Sequence, residues 1–231
     1  MSTLLDFDNP WPGPDSFGTA DAAFFLGRDG EIEQLLHLVQ RTRCVILYGA
    51  SGLGKTSLIN AGLVPRFPRD ELFPVPIRIS YVAGSPPVAE QLQAKIVASR
   101  PDGMPKPDPK QTAWEYLHRR NEPIEGAQPV FIFDQFEELF TIGAGTEQAA
   151  QLVEELKGLI EETPPLSVRQ DLDLHPERPA SCHFSATTHG CSSASARIFC
   201  TGLSRYAVKS RRSFTTATGL AISTGKPRWR W

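Results

Sequence analysis

The segment CVILYGASGLGKTSLINAGLVPRF, Cys44 to Phe67, constrains this chain more than any other stretch. Cys44 to Tyr48 is a short, continuous apolar run stopped by Gly49. Such a run suits a strand covered on both faces, as in a parallel sheet. From Gly49 to Thr56 the sequence matches G-x-x-x-x-G-K-[ST], and helical spacing follows until Pro65. A strand, a glycine loop and a helix in that order form a phosphate cradle. Gly49, Gly52 and Gly54 leave consecutive backbone N–H groups unobstructed, and the helix N-terminus adds its positive dipole. The expected ligand-binding set is therefore Gly49, Ala50, Ser51, Gly52, Leu53, Gly54, Lys55, Thr56 and Ser57. Lys55 would reach the β- and γ-phosphates of a nucleotide, and the Thr56 hydroxyl would ligate Mg²⁺. The bland alternative is a glycine-rich turn that merely ends in Lys-Thr. The flanking strand and helix patterns argue against it.

A loop of this kind needs a second acid at the end of a neighbouring strand to hold the metal. VFIFDQFEELF, Val130 to Phe140, offers Asp134 directly after a buried-strand pattern. The competing reading of Asp134 is a helix N-cap, and the two roles are compatible. Glu137 and Glu138 follow. One of them could act as general base toward an attacking water, while the other favours the first turn of a helix. Spacing favours Glu137 as the base, with a solvated helix face as the alternative for both.

The rest of the chain extends the alternation. Ile32, Leu35, Leu36 and Val39 fall on one face of a helix, FPVPIRISYV reads as a strand limited by Pro74 and Pro76, and VAEQLQAKIVAS reads as a helix. RPDGMPKPDPK is a loop, QTAWEYLHRRNE another helix, PVFIFD a buried strand, and EQAAQLVEELKGLIEE an amphipathic helix. Strands and helices alternate without hairpin signals, which predicts an α/β fold with a parallel sheet flanked by helices, in the three-layer arrangement of P-loop NTPases. Residues 1–20, rich in Pro, Gly and Asp, read as an extended lead-in, and 21–165 as the NTPase domain. LSVRQD suggests the start of one more strand.

Residues 166–231 form a Ser-, Thr- and Arg-rich tail with no acid after Glu177 and no sustained period. It reads as a disordered basic segment, as a small satellite fold, or as an out-of-frame end, the last being favoured. Its Arg205, Arg211, Arg212, Arg228 and Arg230, with interspersed aromatics, raise nucleic-acid binding only as a third functional reading. Cys44 reads as a small buried hydrophobe. Cys182, Cys191 and Cys200, near His183 and His189, are spaced too evenly and widely for a typical zinc site. No apolar run approaches the ~20 residues that span a bilayer, and the N-terminus lacks a secretory pattern, so a cytoplasmic, membrane-free protein is expected. No N-K-x-D segment is present, which favours adenine over guanine nucleotides.

DAAFFLGRDGEIEQLL, ILYGASGLGKTSLINAGLVPRF and VFIFDQFEELFT together resemble the novel STAND group of P-loop NTPases, signal-transducing relatives of AAA+ and NACHT proteins found mainly in bacteria. The resemblance runs from about Asn9 to Thr163 and keeps the family's block order. It implies an ATP-dependent switch in which ADP holds a closed state and ATP permits opening and assembly. On it, Lys55 and Thr56 become phosphate and Mg²⁺ ligands, Asp134 the Walker B acid and Glu137 the second acidic position. Arg28 falls in a Gly-Arg block near the nucleotide base, and Arg169 in LSVRQD corresponds to a strand-borne sensor arginine. Beyond that segment no lid, winged helix or repeat is recognisable. The chain is thus expected to be the nucleotide-binding part of such a switch, a slow hydrolase whose protein partners or self-association depend on regions it lacks. The alternative is a nucleotide-binding remnant or interaction module that hydrolyses nothing.

Overall fold

The computed structural model describes residues 5–108, 111–118, 127–174 and 197–201, and the backbone of 212–215 and 221–224. The chain divides into two compact units. One comprises Met1–Pro68, Asp134–Glu137 and Phe199–Trp231, the other Arg69–Phe133 and Glu138–Ile198. The fold is α/β.

In the first unit, helix α1 (Asp29–Arg41) turns Ile32, Leu35 and Val39 inward, as the apolar spacing predicts. Strand β1 (Cys44–Tyr48) is buried over its first four residues. After the glycine loop, helix α2 (Lys55–Ser57) continues without a break into a π-helical stretch, Leu58–Leu63, and a 3₁₀ turn, Val64–Arg66. Gly62 within the π stretch faces Ile32, and a Cβ there would stand 2.8 Å from the Ile32 side chain. Glycine is therefore what lets α1 approach this closely. A short 3₁₀ helix, Thr19–Phe24, packs on the same stretch, and Arg66 pairs with Asp29.

In the second unit, strands β2 (Leu72–Ile77) and β3 (Gln128–Phe133) pair in parallel, from Leu72↔Gln128 to Ile77↔Phe133. Pro74 and Pro76 stand two residues apart in β2. Their missing N–H groups therefore fall on one side of the strand, and the donors facing β3 remain available. Helix α3 (Val88–Ser99) packs on β2 and on α5 (Glu147–Glu161), whose Leu152, Leu156, Leu159 and Ile160 are buried. Between α3 and β3 in sequence, α4 (Ala113–Leu117) opens with a capping box in which Thr112 and Glu115 satisfy each other's backbone N–H groups. Helix α4 also packs on α5.

One expectation for the C-terminal region is corrected. LSVRQD does not begin a strand: Leu166–Leu174 forms helix α6. Pro165 sits just ahead of its first turn, where a missing N–H costs nothing, and Pro165 and Val168 are buried at helical spacing. Arg169 therefore lies on a helix and donates to the Pro164 carbonyl at 2.8 Å, not on a strand in a sensor position.

Short strands also lie within the tail. Strand β4 (Arg197–Thr201) buries Ile198, Phe199, Cys200 and Thr201. Strands β5 (Arg212–Thr215) and β6 (Ala221–Thr224) pair antiparallel with each other, and β6 pairs antiparallel with β1 from Val45↔Thr224 to Tyr48↔Ala221. Strand pairing of β1, β6 and β5 in the first unit is antiparallel, and that of β2 with β3 in the second unit is parallel. Cys182, Cys191, His183, His189 and the tail residues Arg205, Arg211, Arg228 and Arg230 lie outside the described residues. Cys44 is buried as expected, which pushes its thiol up to about 12. Burial also raises the Cys200 thiol, with Cys44 adding to the effect. No described helix is long and apolar enough to cross a membrane.

Candidate functional site

The glycine loop between β1 and α2 is held by two cations. Gly52 and Gly54 adopt left-handed conformations at φ +80° and +72°, which side-chain-bearing residues rarely take, so the sequence motif is also a conformational requirement. Lys55 Nζ donates to the Gly49 and Ala50 carbonyls at 3.1 and 3.0 Å. Arg28 Nη1 donates to the Leu53 carbonyl at 3.0 Å, and its Nε lies 3.8 Å from Glu31 Oε1. Ser51, Gly52, Gly54, Lys55, Thr56 and Ser57 line a cavity of about 390 Å³. Arg28, Gly49, Ala50 and Leu53 are not among its lining residues; Arg28 braces the loop at Leu53.

Asp134, directly after β3, is the polar centre of this cavity. Thr56 Oγ1 donates toward both of its carboxylate oxygens at 3.2 Å, across 78 residues of sequence. Thr201 Oγ1, at the end of β4, donates to Oδ1 at 2.8 Å, and the Gln135 N–H donates to the same oxygen at 3.1 Å. The Gln135 N–H also reaches Thr201 Oγ1 at 3.3 Å. Gln135 itself sits at φ +57°, an uncommon conformation for a non-glycine residue, and turns the chain sharply out of β3. Asp134 caps no regular helix. It serves as a collecting point for hydroxyl and backbone donors.

The structure separates the two glutamates. Glu137 is half-buried and lines the cavity together with Asp134, Gln135 and Thr201. Glu138 instead accepts from Arg78 Nη2 at 2.9 Å and is not a lining residue. Burial, with the charge of Glu138 as the lesser cause, pushes the Tyr81 hydroxyl up to about 12.

Two contributors escaped the sequence reading. Thr201 closes the three-residue apolar run Ile198 to Cys200, a strand signal too short to stand out in a Ser/Thr-rich region. Residues 13–16 of the lead-in also line the cavity, and the Phe17 N–H donates to Ser57 Oγ at 3.1 Å. A Pro/Gly-rich composition marks irregular backbone but does not tell where that backbone goes.

Among the described residues, Lys55 is the single cation lining the cavity, facing oxygen donors from Thr56, Asp134, Glu137 and Thr201. A glycine loop with an ammonium suits an anion, and clustered hydroxyl and carboxylate oxygens suit a hard cation. Searches of curated proteins and of solved structures return no match. The family model described as Novel STAND NTPase 1 matches residues 10–174, most of the length of the chain. With the loop and the acid on one cavity and that match spanning both, the chain belongs to the novel STAND NTPase 1 family.

Proposed function

We propose that this chain is the MgATP-binding module of a STAND-type signalling switch and that it hydrolyses ATP slowly. The observation that carries the reading is the meeting of Thr56 and Asp134 at 3.2 Å on the cavity lined by the glycine loop. Helix start and strand end thus bring a hydroxyl and a carboxylate to one point, the donor set a magnesium ion takes through oxygen and water. When bound, the ion would neutralise phosphate charge.

The residues divide the remaining work. The loop N–H groups from Ser51 to Thr56 bind the phosphates. Lys55 exchanges its carbonyl partners Gly49 and Ala50 for phosphate oxygens, replacing contacts of a cation to neutral carbonyls by stronger contacts of a cation to an anion. Arg28 keeps the loop in shape through Leu53. Thr201 and the Gln135 N–H orient the Asp134 carboxylate. Glu137 is the general base: it takes a proton from the water that attacks the terminal phosphorus as the bond to the ADP oxygen breaks. Regulation through protein partners or self-association belongs to the same reading, as does a cytoplasmic setting.

The test is phosphate release from radiolabelled ATP by wild type, Lys55→Ala and Glu137→Gln, alongside melting temperatures with and without MgATP. Wild type should turn over slowly. Glu137→Gln should lose roughly 10²-fold or more in rate while keeping the thermal shift. Lys55→Ala should lose both, and chelating magnesium should remove the wild-type shift. Equal background release by all three proteins would leave a binding module without catalysis. A missing thermal shift in wild type would sink the nucleotide reading.

A further inference from the structure

The lead-in is built into the site. Asp15 N–H reaches back to the Pro12 carbonyl at 3.4 Å, and Gly13 at φ +66° permits the turn. Phe17 fastens the segment: its N–H binds Ser57 Oγ, and its ring meets Trp11 and Phe25 edge-on at 6.4 and 5.6 Å between centroids. Phe25 in turn lies against Gly62 of the π-helical stretch. Gly13, Pro14, Asp15 and Ser16 thereby become wall residues of the cavity that holds Lys55 and Asp134.

Asp15 is the charged member of that wall. It is exposed, and its side chain makes no hydrogen bond or ion pair among the described residues. A carboxylate is repelled by phosphate, so the anionic end of a ligand belongs to the loop and Lys55. The cation belongs to the oxygens that Thr56, Asp134 and Thr201 already bring together. What remains of a nucleotide with donors for a carboxylate is the adenine amino group and the sugar, and of these only the sugar offers two adjacent hydroxyls to one carboxylate. Resting on the nucleotide reading above, the geometry points to the lead-in turn as the sugar-binding wall of the site, with Asp15 accepting hydrogen bonds from the ribose hydroxyls. Carboxylates take this part elsewhere, because an acceptor-only group pairs naturally with a vicinal diol. Ser57 positions the wall through Phe17, next to the residue that holds the metal side.

The full chain would be titrated, in magnesium, with ATP, 2′-deoxy-ATP, 3′-deoxy-ATP and inorganic tripolyphosphate, for wild type, Asp15→Ala and Asp15→Asn. Wild type should prefer ATP over at least one deoxy analogue by roughly tenfold, the worth of one charge-assisted hydrogen bond at an exposed site. Asp15→Ala should bind ATP no better than the deoxy analogues, and Asp15→Asn should fall between. Tripolyphosphate should bind all three proteins alike. Melting temperatures without ligand should agree, since Asp15 is exposed on a turn. An ATP preference unchanged in Asp15→Ala, or absent in wild type, overturns the assignment. So does an equal loss of tripolyphosphate and ATP, which would place Asp15 on the metal side. Failure of wild type to bind either ATP or tripolyphosphate would instead remove the nucleotide reading, and the sugar wall with it.

Discussion

Asp134 and Glu155 are carboxylates placed in opposite circumstances. Asp134 stands at a strand end on an open cavity and accepts from two hydroxyls and a backbone N–H. Glu155 stands on α5 at 6% exposure. Burial raises its pKa from 4.5 to about 7; the N–H groups of Trp114 and Ala113 pull it down, and Glu115 pushes it up. The first acid is surrounded by groups that welcome charge. The second is surrounded by a core that resists it. Side-chain chemistry is nearly identical in the two, so the contrast shows that partners decide whether an acid is accommodated or strains folding.

The largest effect should come from removing the charge that the core resists. A raised carboxyl pKa means that the folded state holds its proton more tightly than the unfolded state. Wild type should therefore lose stability as pH rises from about 4.5 to about 7, by on the order of 3 kcal/mol at ~1.4 kcal/mol per pKa unit. Glu155→Gln should be free of that loss and, at pH 8, more stable than wild type. Urea midpoints at pH 5 and pH 8 for both proteins measure it; parallel pH dependences would show that Glu155 is solvated and dissolve the contrast.

On the Asp134 side, Thr201→Val keeps the volume and removes the hydroxyl. A lost hydrogen bond to a charged group should cost about 2 kcal/mol, read as a lower urea midpoint with unchanged slope. If stability holds, Asp134 does not depend on its hydroxyl partners. The smallest effect concerns the turn beside it. Gln135→Gly relieves a left-handed residue of about 1 kcal/mol or more, but glycine gives back 0.5–1 kcal/mol in unfolded-state entropy. A net gain of roughly 0.5 kcal/mol is expected, and a loss would mean that the Gln135 side chain supports the site.

Much of this was legible beforehand because its causes are local. Val45 to Leu47 and Val130 to Phe133 are apolar on both faces, α3 matches its apolar spacing end to end, and Gly52 and Gly54 stand where the loop needs left-handed backbone. What was missed depends on distant partners or on ambiguous local signals. Pro164-Pro165 marks the end of a helical pattern, yet Pro165 also opens α6, where the Arg169 N–H donates to its carbonyl at 3.0 Å. Thr201 matters through Asp134, 67 residues away, and no local pattern encodes that distance. Spacing favours Glu137 over Glu138 as the base, and in the structure Arg78 claims Glu138.

The bond from Phe17 N–H to Ser57 Oγ also has a mechanical meaning. It puts the N-terminal segment in series with α2, two residues from Lys55. A pull on the N-terminal segment would therefore reach the glycine loop through a single hydrogen bond, and on the proposed nucleotide reading such tension should loosen the hold on the ligand.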